Sequence, residues 1–355
     1  MSIPVDLLQK LLDEAIASGS ECGVQLVIYE HGKLVADLCA GYADPAHSIP
    51  VTPKTLFPIF SVGKGISATA FHMLKERIGF DYHTPVAEFW PEYACNGKEE
   101  TQIWHFLAHS AGMQRLPGVD SLSPELADWE GMCRRLAAAV PAWKPGTRCA
   151  YHGITYAWLV GETANRLGTM PFCDFIDREL IAPLKLKGEL TFGTTPEDEK
   201  QLAILDDRNQ PGNHSKRFIE NPAFLRGFIP SANGVATAGA IAKVYNAIVF
   251  GAEGVSPLLS KETLDNTTSL RRVEDDPIQD GYIWAKFGLG YVLPLWDNSL
   301  GDLFGHGGAV GAHGFFCRSK ELAVGFTKNM ITQTHPVHPL RDKICQVIGI
   351  EPLHW

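Results

Sequence analysis

Strand-like segments of this chain gather towards its two ends, and helical segments fill the stretch between them. Two apolar runs, Cys22 to Tyr29 and Lys33 to Ala40, flank Glu30-His31-Gly32 and read as a β-hairpin. Phe287 to Leu293, Gly314 to Cys317 and Leu322 to Thr327 are strand-like as well. Between about residues 81 and 231 the pattern is mostly helical, with pieces at Trp104 to Ala108, Thr155 to Leu167 and Phe172 to Leu184. Residues 204–228, rich in Asp, Asn, Pro and Gly, read as an irregular loop, and Pro230 to Gly234 as a turn cluster. Further helices are expected at residues 5–18, from Ser61 to about Ile78 with a stop at Gly79, from a Thr237 cap to about Phe250, and from about Pro339 to Ile348. A sheet shared by both ends, with a helical insertion, is the economical way to cover these apolar faces. The expected division is a sheet domain of residues 1–80 and 232–355 and a mainly helical domain of residues 81–231.

A chain of 355 residues can bury a large core. Its net charge of -9 argues against nucleic-acid binding, which needs a basic stripe. No run of 18 apolar residues is present to span a membrane. Met1 to Asp6 lacks the basic and apolar regions of a secretory signal, and the dispersed cysteines include no Cys-x-x-Cys pair. The expectation is a cytoplasmic protein with reduced thiols and no metal or other cofactor.

Ser61-Val62-Gly63-Lys64 is the most informative stretch for chemistry. On a helix, residues i and i+3 share a face with Cβ atoms roughly 5–6 Å apart, so the tetrad sets an amine beside a hydroxyl. A serine hydroxyl is a weak nucleophile until a base takes its proton, and a desolvated lysine can be that base. Alone, such a tetrad recurs by chance. Tyr151, in the extended stretch after the Pro145-Gly146 turn, could reach inward and work as a base if a cation such as Lys64 lowered its pKa. It could equally pack its ring and hydrogen-bond its hydroxyl. Phe304-Gly305-His306-Gly307-Gly308-Ala309 is dense in glycine, which lets a backbone approach a ligand and offer N–H groups to an oxyanion, or simply makes a hairpin.

Taken together these segments resemble the penicillin-recognising serine hydrolases: class C β-lactamases, family VIII carboxylesterases and related peptidases and acyltransferases. Phe60 to Lys64 looks like the nucleophile motif, and Leu107-Ala108-His109-Ser110-Ala111-Gly112-Met113 is similar to the Leu-x-His-Thr-Ser-Gly loop. Trp143 to Tyr151 with Trp158 to Glu162 looks like the tyrosine motif and its following helix. Pro230 to Gly234 and Phe304 to Gly308 are similar to later stretches of the esterase branch. The resemblance implies an α/β (α+β) fold, an antiparallel sheet flanked by helices. It implies acyl transfer through Ser61, with Lys64 and Tyr151 sharing the proton work and the choice of acylation base left open. The N–H groups of Ser61 and Ala309 would hold the oxyanion, and His306, Gly307, Gly308 and His152 would touch substrate.

Two departures bear on substrate. Gly153 stands where β-lactamases of this type have the Asn of Tyr-x-Asn, and His306-Gly307-Gly308 replaces Lys-Thr-Gly. Those family residues hold the β-lactam carboxylate and amide, so their loss favours a neutral small-molecule ester, with at most weak β-lactam turnover. A β-lactamase, a D-amino-acid peptidase or amidase, and an acyltransferase are the alternatives within the family. A non-catalytic penicillin-binding-like protein is the alternative outside enzymes, although both Ser61 and Lys64 are retained. An α/β-hydrolase lacks support because no Gly-x-Ser-x-Gly occurs. A metal hydrolase lacks His-Glu-x-x-His, and His335-Pro336-Val337-His338 reads as a solvated loop. Trp90, Trp143, Phe224 and Phe228 are candidate pocket walls or, individually, core. The oligomeric state is left open.

Overall fold

The computed structural model describes residues 3–271, 286–294, 301–332 and 338–353. Helix α1 (Val5–Ala17) leads into a hairpin of β1 (Gly23–Glu30) and β2 (Lys33–Gly41). His31 and Gly32 have φ of 50° and 79°, the left-handed backbone that a two-residue hairpin turn requires. Short β3 (Phe57–Pro58) precedes α2 (Val62–Ile78), which Gly79 ends at φ 79°. The middle of the chain supplies α3 (Ile103–Leu107), α4 (Trp129–Ala138), α5 (Tyr156–Leu167), α6 (Phe172–Ile176) and β4 (Leu190–Phe192). Short helices α7 (Pro196–Glu199), α8 (His214–Ile219) and α9 (Pro222–Arg226) follow. Then come β5 (Gly234–Ala236), α10 (Ala238–Phe250), α11 (Lys261–Thr267), β6 (Lys286–Phe287) and β7 (Val292–Leu293). The last elements are β8 (Leu303–Gly307), β9 (His313–Cys317), β10 (Leu322–Lys328) and α12 (Pro339–Val347).

The seven-stranded sheet runs in the order β2-β1-β10-β9-β8-β7-β6. Every neighbouring pair in it is antiparallel. Strand β1 pairs with β10 from Val24 opposite Lys328 to Glu30 opposite Leu322, so the sheet is built from both ends of the chain as expected. Side chains alternate across it. Val24, Leu26 and Ile28 face Leu8, Leu12 and Ile344 of α1 and α12, whereas Val27 faces Ala238 and Ala242 of α10. Both faces are covered, which explains why these strands are apolar on both sides.

Helix α2 lies beneath this sheet against β8 and α5, and every residue from Val62 to His72 is buried. Its small residues (Gly63, Gly65, Ser67, Ala68, Ala70) let neighbours approach from all sides, and a helix buried all round needs no polar stripe. Ile66 and Phe71, both at 0% exposure, each stabilise the fold by about 1.5–3 kcal/mol through burial.

Three segments differ from expectation. Helix α6 stops at Ile176 and passes into a π turn over Asp177–Ile181, with the Ala182 N–H donating to the Asp177 carbonyl at 2.9 Å. Pro183 has no N–H with which to continue the ladder. Residues 204–228 hold α8 and α9, begun where Asn213 and Asn221 side chains accept from the Ser215 and Ala223 N–H groups at 2.8 and 3.1 Å. Leu190–Phe192, inside the segment read as mainly helical, joins a second sheet in the order β3-β5-β4. Thr237 caps α10 as expected, accepting from the Ala240 N–H at 3.0 Å.

Candidate active site

Ser61 is the N-cap of α2, and Lys64 lies one turn further on. Lys64 Nζ donates to Ser61 Oγ at 3.0 Å and to the Ser231 carbonyl oxygen at 2.8 Å. Ser61 is half-buried, while Lys64 is 0% exposed. Loss of solvent pushes the Lys64 amine well below the ordinary lysine range. Phe60, directly before the serine, has φ 46°. A non-glycine residue held there costs on the order of 1–3 kcal/mol and persists only where packing over-determines it. The buried Phe60 ring packs 6.5 Å from Phe218.

The residues under Lys64 are anchored in turn. A Cβ on Gly63 would overlap the Pro230 carbonyl oxygen, so the first turn of α2 sits directly on the 230–234 turn. Ser231 Oγ donates to the Ile154 carbonyl at 3.0 Å. Buried Asn233 donates to the Phe224 and Gly227 carbonyls at 2.8 and 2.6 Å and accepts from the Ile229 N–H at 3.2 Å. The Ser231 carbonyl is a functional group that reading the sequence missed. A turn cluster marked its place, but a backbone acceptor has no side-chain signature.

Tyr151 joins Ser61 and Lys64. Lys64 Nζ lies 4.8 Å from the centroid of its ring. The half-buried Tyr151 ring stacks on Phe287 at 6.1 Å with planes 13° apart, and His109 and His306 lie at 4.9 and 6.0 Å. Gly307 ends β8, and the Gly308 N–H donates to the Ala312 carbonyl at 2.7 Å. A Cβ on Gly308 would overlap the Ile59 carbonyl oxygen, which sets this turn against the residues leading into Ser61. Ala309, next in the turn, is exposed.

The histidines around the site are buried. His152 is fully buried; its Nδ1–H donates to the Ala150 carbonyl at 2.6 Å and its Nε2 accepts from the Met113 N–H at 3.0 Å. Both ring nitrogens are thus engaged by the backbone, so the substrate contact expected of His152 would have to use other atoms of the residue. The His152 N–H donates to His109 Nδ1 at 3.1 Å, tying the two loops together. Burial lowers the His152 pKa to about 4 and holds buried His109 well below its ordinary value. His306, 4% exposed, donates from Nδ1 to the Gly307 carbonyl at 2.8 Å, and burial followed by the Lys64 charge lowers its pKa to about 3. Its ring is a neutral neighbour of Lys64 and Tyr151.

A cavity of about 530 Å³ opens beside Tyr151, lined among others by Gln114, Leu116, Val119, Gly153 and Ile154. A Cβ on Gly153 would meet nothing within 4 Å. Trp90 and Phe224, each 1% exposed, belong to the core instead. Among the described residues no group of three or more His, Cys, Asp or Glu side chains could hold a metal. Residues 335–337 of the His-Pro-Val-His segment lie outside them. Among the described residues, no helix is long and apolar enough to cross a membrane.

Known proteins resemble this chain along most of its length. The Beta-lactamase family model matches residues 8–343. The "Esterase/beta-lactamase LipL" of Mycobacterium tuberculosis (strain ATCC 25618 / H37Rv) is 33% identical over 339 residues, covering 87% of this chain and 77% of that protein. A family VIII carboxylesterase crystal structure superposes with a TM-score of 0.87 at 23% identity over 98% of each chain. A penicillin-binding protein homologue from Caulobacter crescentus does so with 0.83 at 24% identity, covering 99% of this chain and 98% of that one. The two superpositions show a shared fold. With a family match across nearly its whole length, the chain belongs to the beta-lactamase family, as a serine beta-lactamase-like hydrolase with esterases among its relatives.

Proposed function

We propose that this protein hydrolyses carboxylic esters through an acyl-enzyme on Ser61, with Lys64 and Tyr151 as the proton-transfer groups. One observation carries the reading: Ser61 Oγ lies 3.0 Å from the Nζ of a lysine whose burial keeps it well below its ordinary pKa. The neutral amine accepts the hydroxyl proton as Oγ adds to the ester carbonyl carbon. The carbonyl π electrons move to oxygen, where the N–H groups of Ser61 and Ala309 receive the charge. Collapse breaks the bond to the alcohol oxygen, which takes its proton from the Lys64–Tyr151 pair and leaves. Water then adds to the acyl carbon as Tyr151 takes its proton and passes its own to the neutral Lys64 amine, and a second collapse returns that proton to the Ser61 oxygen and releases the acid. Lys64 Nζ lies 4.8 Å from the centroid of the Tyr151 ring, which sets the two proposed proton-transfer groups side by side.

An ester is favoured over a β-lactam because His306, lowered to about 3, offers no cation where the family's β-lactamases place a lysine. Gly153 likewise offers no amide where they place an asparagine. Esterases stand beside beta-lactamases among the names of the relatives: one is an esterase/beta-lactamase, another a family VIII carboxylesterase, and two are beta-lactamases. The deciding experiment is hydrolysis of p-nitrophenyl acetate, butyrate and octanoate, with nitrocefin in parallel, by wild type and Ser61→Ala. Ester turnover lost in Ser61→Ala, with nitrocefin slow, is the expected result. Fast nitrocefin turnover overturns the ester preference, and ester turnover that survives Ser61→Ala overturns the mechanism.

A further inference from the structure

We infer that His313 and Arg341 are positioning residues that aim the Ala309 N–H from behind. The inference rests on the acyl-enzyme reading, which gives that N–H its role. The Gly308 carbonyl and the Ala309 N–H belong to one planar peptide and point in opposite directions. Whatever holds the carbonyl therefore aims the N–H. The Gly311 N–H donates to the Gly308 carbonyl at 2.9 Å, so the orientation of that peptide depends on where Gly311 sits.

Gly311, at φ 101°, is held in turn by His313. The His313 ring is 1% exposed, and its Nδ1–H donates to the Gly311 carbonyl at 2.9 Å. Arg341 Nη1 donates to His313 Nε2 at 2.8 Å. A guanidinium is all donor, so Nε2 must be the acceptor and the ring proton must lie on Nδ1, facing Gly311. Arg341 thus sets the tautomer that makes the clamp work. It is 2% exposed and is itself fixed in α12, with Nε and Nη2 donating to Asp342 Oδ1 at 2.9 and 2.7 Å and Nη2 also to the Leu353 carbonyl.

The far side of Gly311 is closed as well. A Cβ there would stand 2.9 Å from Lys328 Cδ and 3.3 Å from His338 Nδ1. Lys328 is held by a buried pair with Glu21 at 2.6 Å. The chain of contacts runs from α12 through Arg341, His313, Gly311 and Gly308 to the Ala309 N–H. A donor of this kind acts only when it is aimed at the developing oxyanion before reaction, which is what such a support provides.

The test compares wild type, Ser61→Ala, His313→Ala, His313→Asn and His313→Gln in p-nitrophenyl butyrate hydrolysis and in inhibition by phenylboronic acid, whose adduct with serine mimics the tetrahedral intermediate. His313→Ala should lower kcat about 10–100-fold with KM little changed, and should weaken boronate inhibition by a similar factor, because only tetrahedral species use the hole. Asn places an N–H donor where Nδ1 stood and should restore most of both; Gln places its amide at the Nε2 end and should not. Equal losses in Asn and Gln, following thermal stability, overturn the positioning role even where His313→Ala fails to fold. So does a folded His313→Ala with wild-type kcat and boronate affinity. Wild type lacking Ser61-dependent turnover and boronate binding overturns the acyl-enzyme reading and the inference with it.

Discussion

The Ser231 carbonyl accepts from Lys64 Nζ at 2.8 Å, so a neutral backbone oxygen takes one N–H of a wholly buried amine. A carbonyl stabilises the charged amine far less than a carboxylate would, and desolvation is left to lower the Lys64 pKa. The rate should therefore rise with pH in a limb centred well below the ordinary lysine value of about 10.4. Lys64→Arg, which stays protonated, should lower kcat by about 10²–10⁴-fold. A limb centred near the ordinary value contradicts the assignment. Stability carries the same sign. Between the lowered folded pKa and the unfolded one, the unfolded state binds more protons, so Lys64 destabilises the fold at neutral pH and less so as pH rises. Lys64→Met should gain about 0.5–2 kcal/mol near pH 7 in urea unfolding, a gain that shrinks towards pH 10.

Tyr151→Phe keeps the ring that stacks on Phe287 and removes only the hydroxyl. Its thermal midpoint should match wild type while kcat falls by about 10²–10⁴-fold. Near-normal turnover would return Tyr151 to the ordinary role of a packed aromatic ring.

Acid sensitivity should trace to the buried histidines. His152 has a folded pKa of about 4, below the unfolded value of about 6.5. Its contribution to stability is complete above pH 6.5 and is lost as pH falls through about 4. His152→Leu should flatten that acid limb in a series of thermal melts. It should also lower stability at pH 7 by about 1–3 kcal/mol, because the Met113 N–H loses its acceptor. The KM for p-nitrophenyl butyrate should not move; a large rise would instead support a substrate contact by His152.

Room beside Gly153 should set acyl or alcohol size. A Cβ there would meet nothing within 4 Å, and Gly153 lines the cavity beside Tyr151. Gly153→Trp should leave the melting temperature unchanged and reduce p-nitrophenyl octanoate turnover at least about tenfold relative to acetate, the scale of a few lost methylene contacts. An unchanged chain-length profile would place the substrate outside the cavity bordered by Leu116, Val119 and Ile154.

The hairpin around His31-Gly32, the stop at Gly79 and the cap at Thr237 were legible because each is a local device with its own residue type. So was the Ser61–Lys64 pair, since helical spacing alone brings the two together. The three-residue strand Leu190–Phe192 was not legible, being too short to show a period of two. Neither was the stack of Phe287 on Tyr151, nor the donation of a Met113 N–H to His152, because both join residues far apart in the chain. The cavity wall at Gln114 to Val119 has no periodic signal, so large aromatic residues were the natural candidates. Trp90 and Phe224 are core, the reading preferred for each taken singly, because bulk and apolarity favour burial before they favour a ligand.

The register of β1 against β10 has a consequence for how the molecule is made. Gln25 and Thr327, 302 residues apart, bond side chain to side chain across that seam. On a ribosome the first hairpin emerges early and must wait for the final strands before its inner edge is covered. Non-local pairing of this kind slows folding and leaves an open edge during the wait. Helix α2, with its buried lysine and its left-handed Phe60, packs beneath the same late-forming sheet. A nascent chain lacking the last strands should therefore carry Ser61 and Lys64 without the full burial that lowers the Lys64 pKa, so that the activation proposed for Ser61 and completion of the polypeptide arrive together.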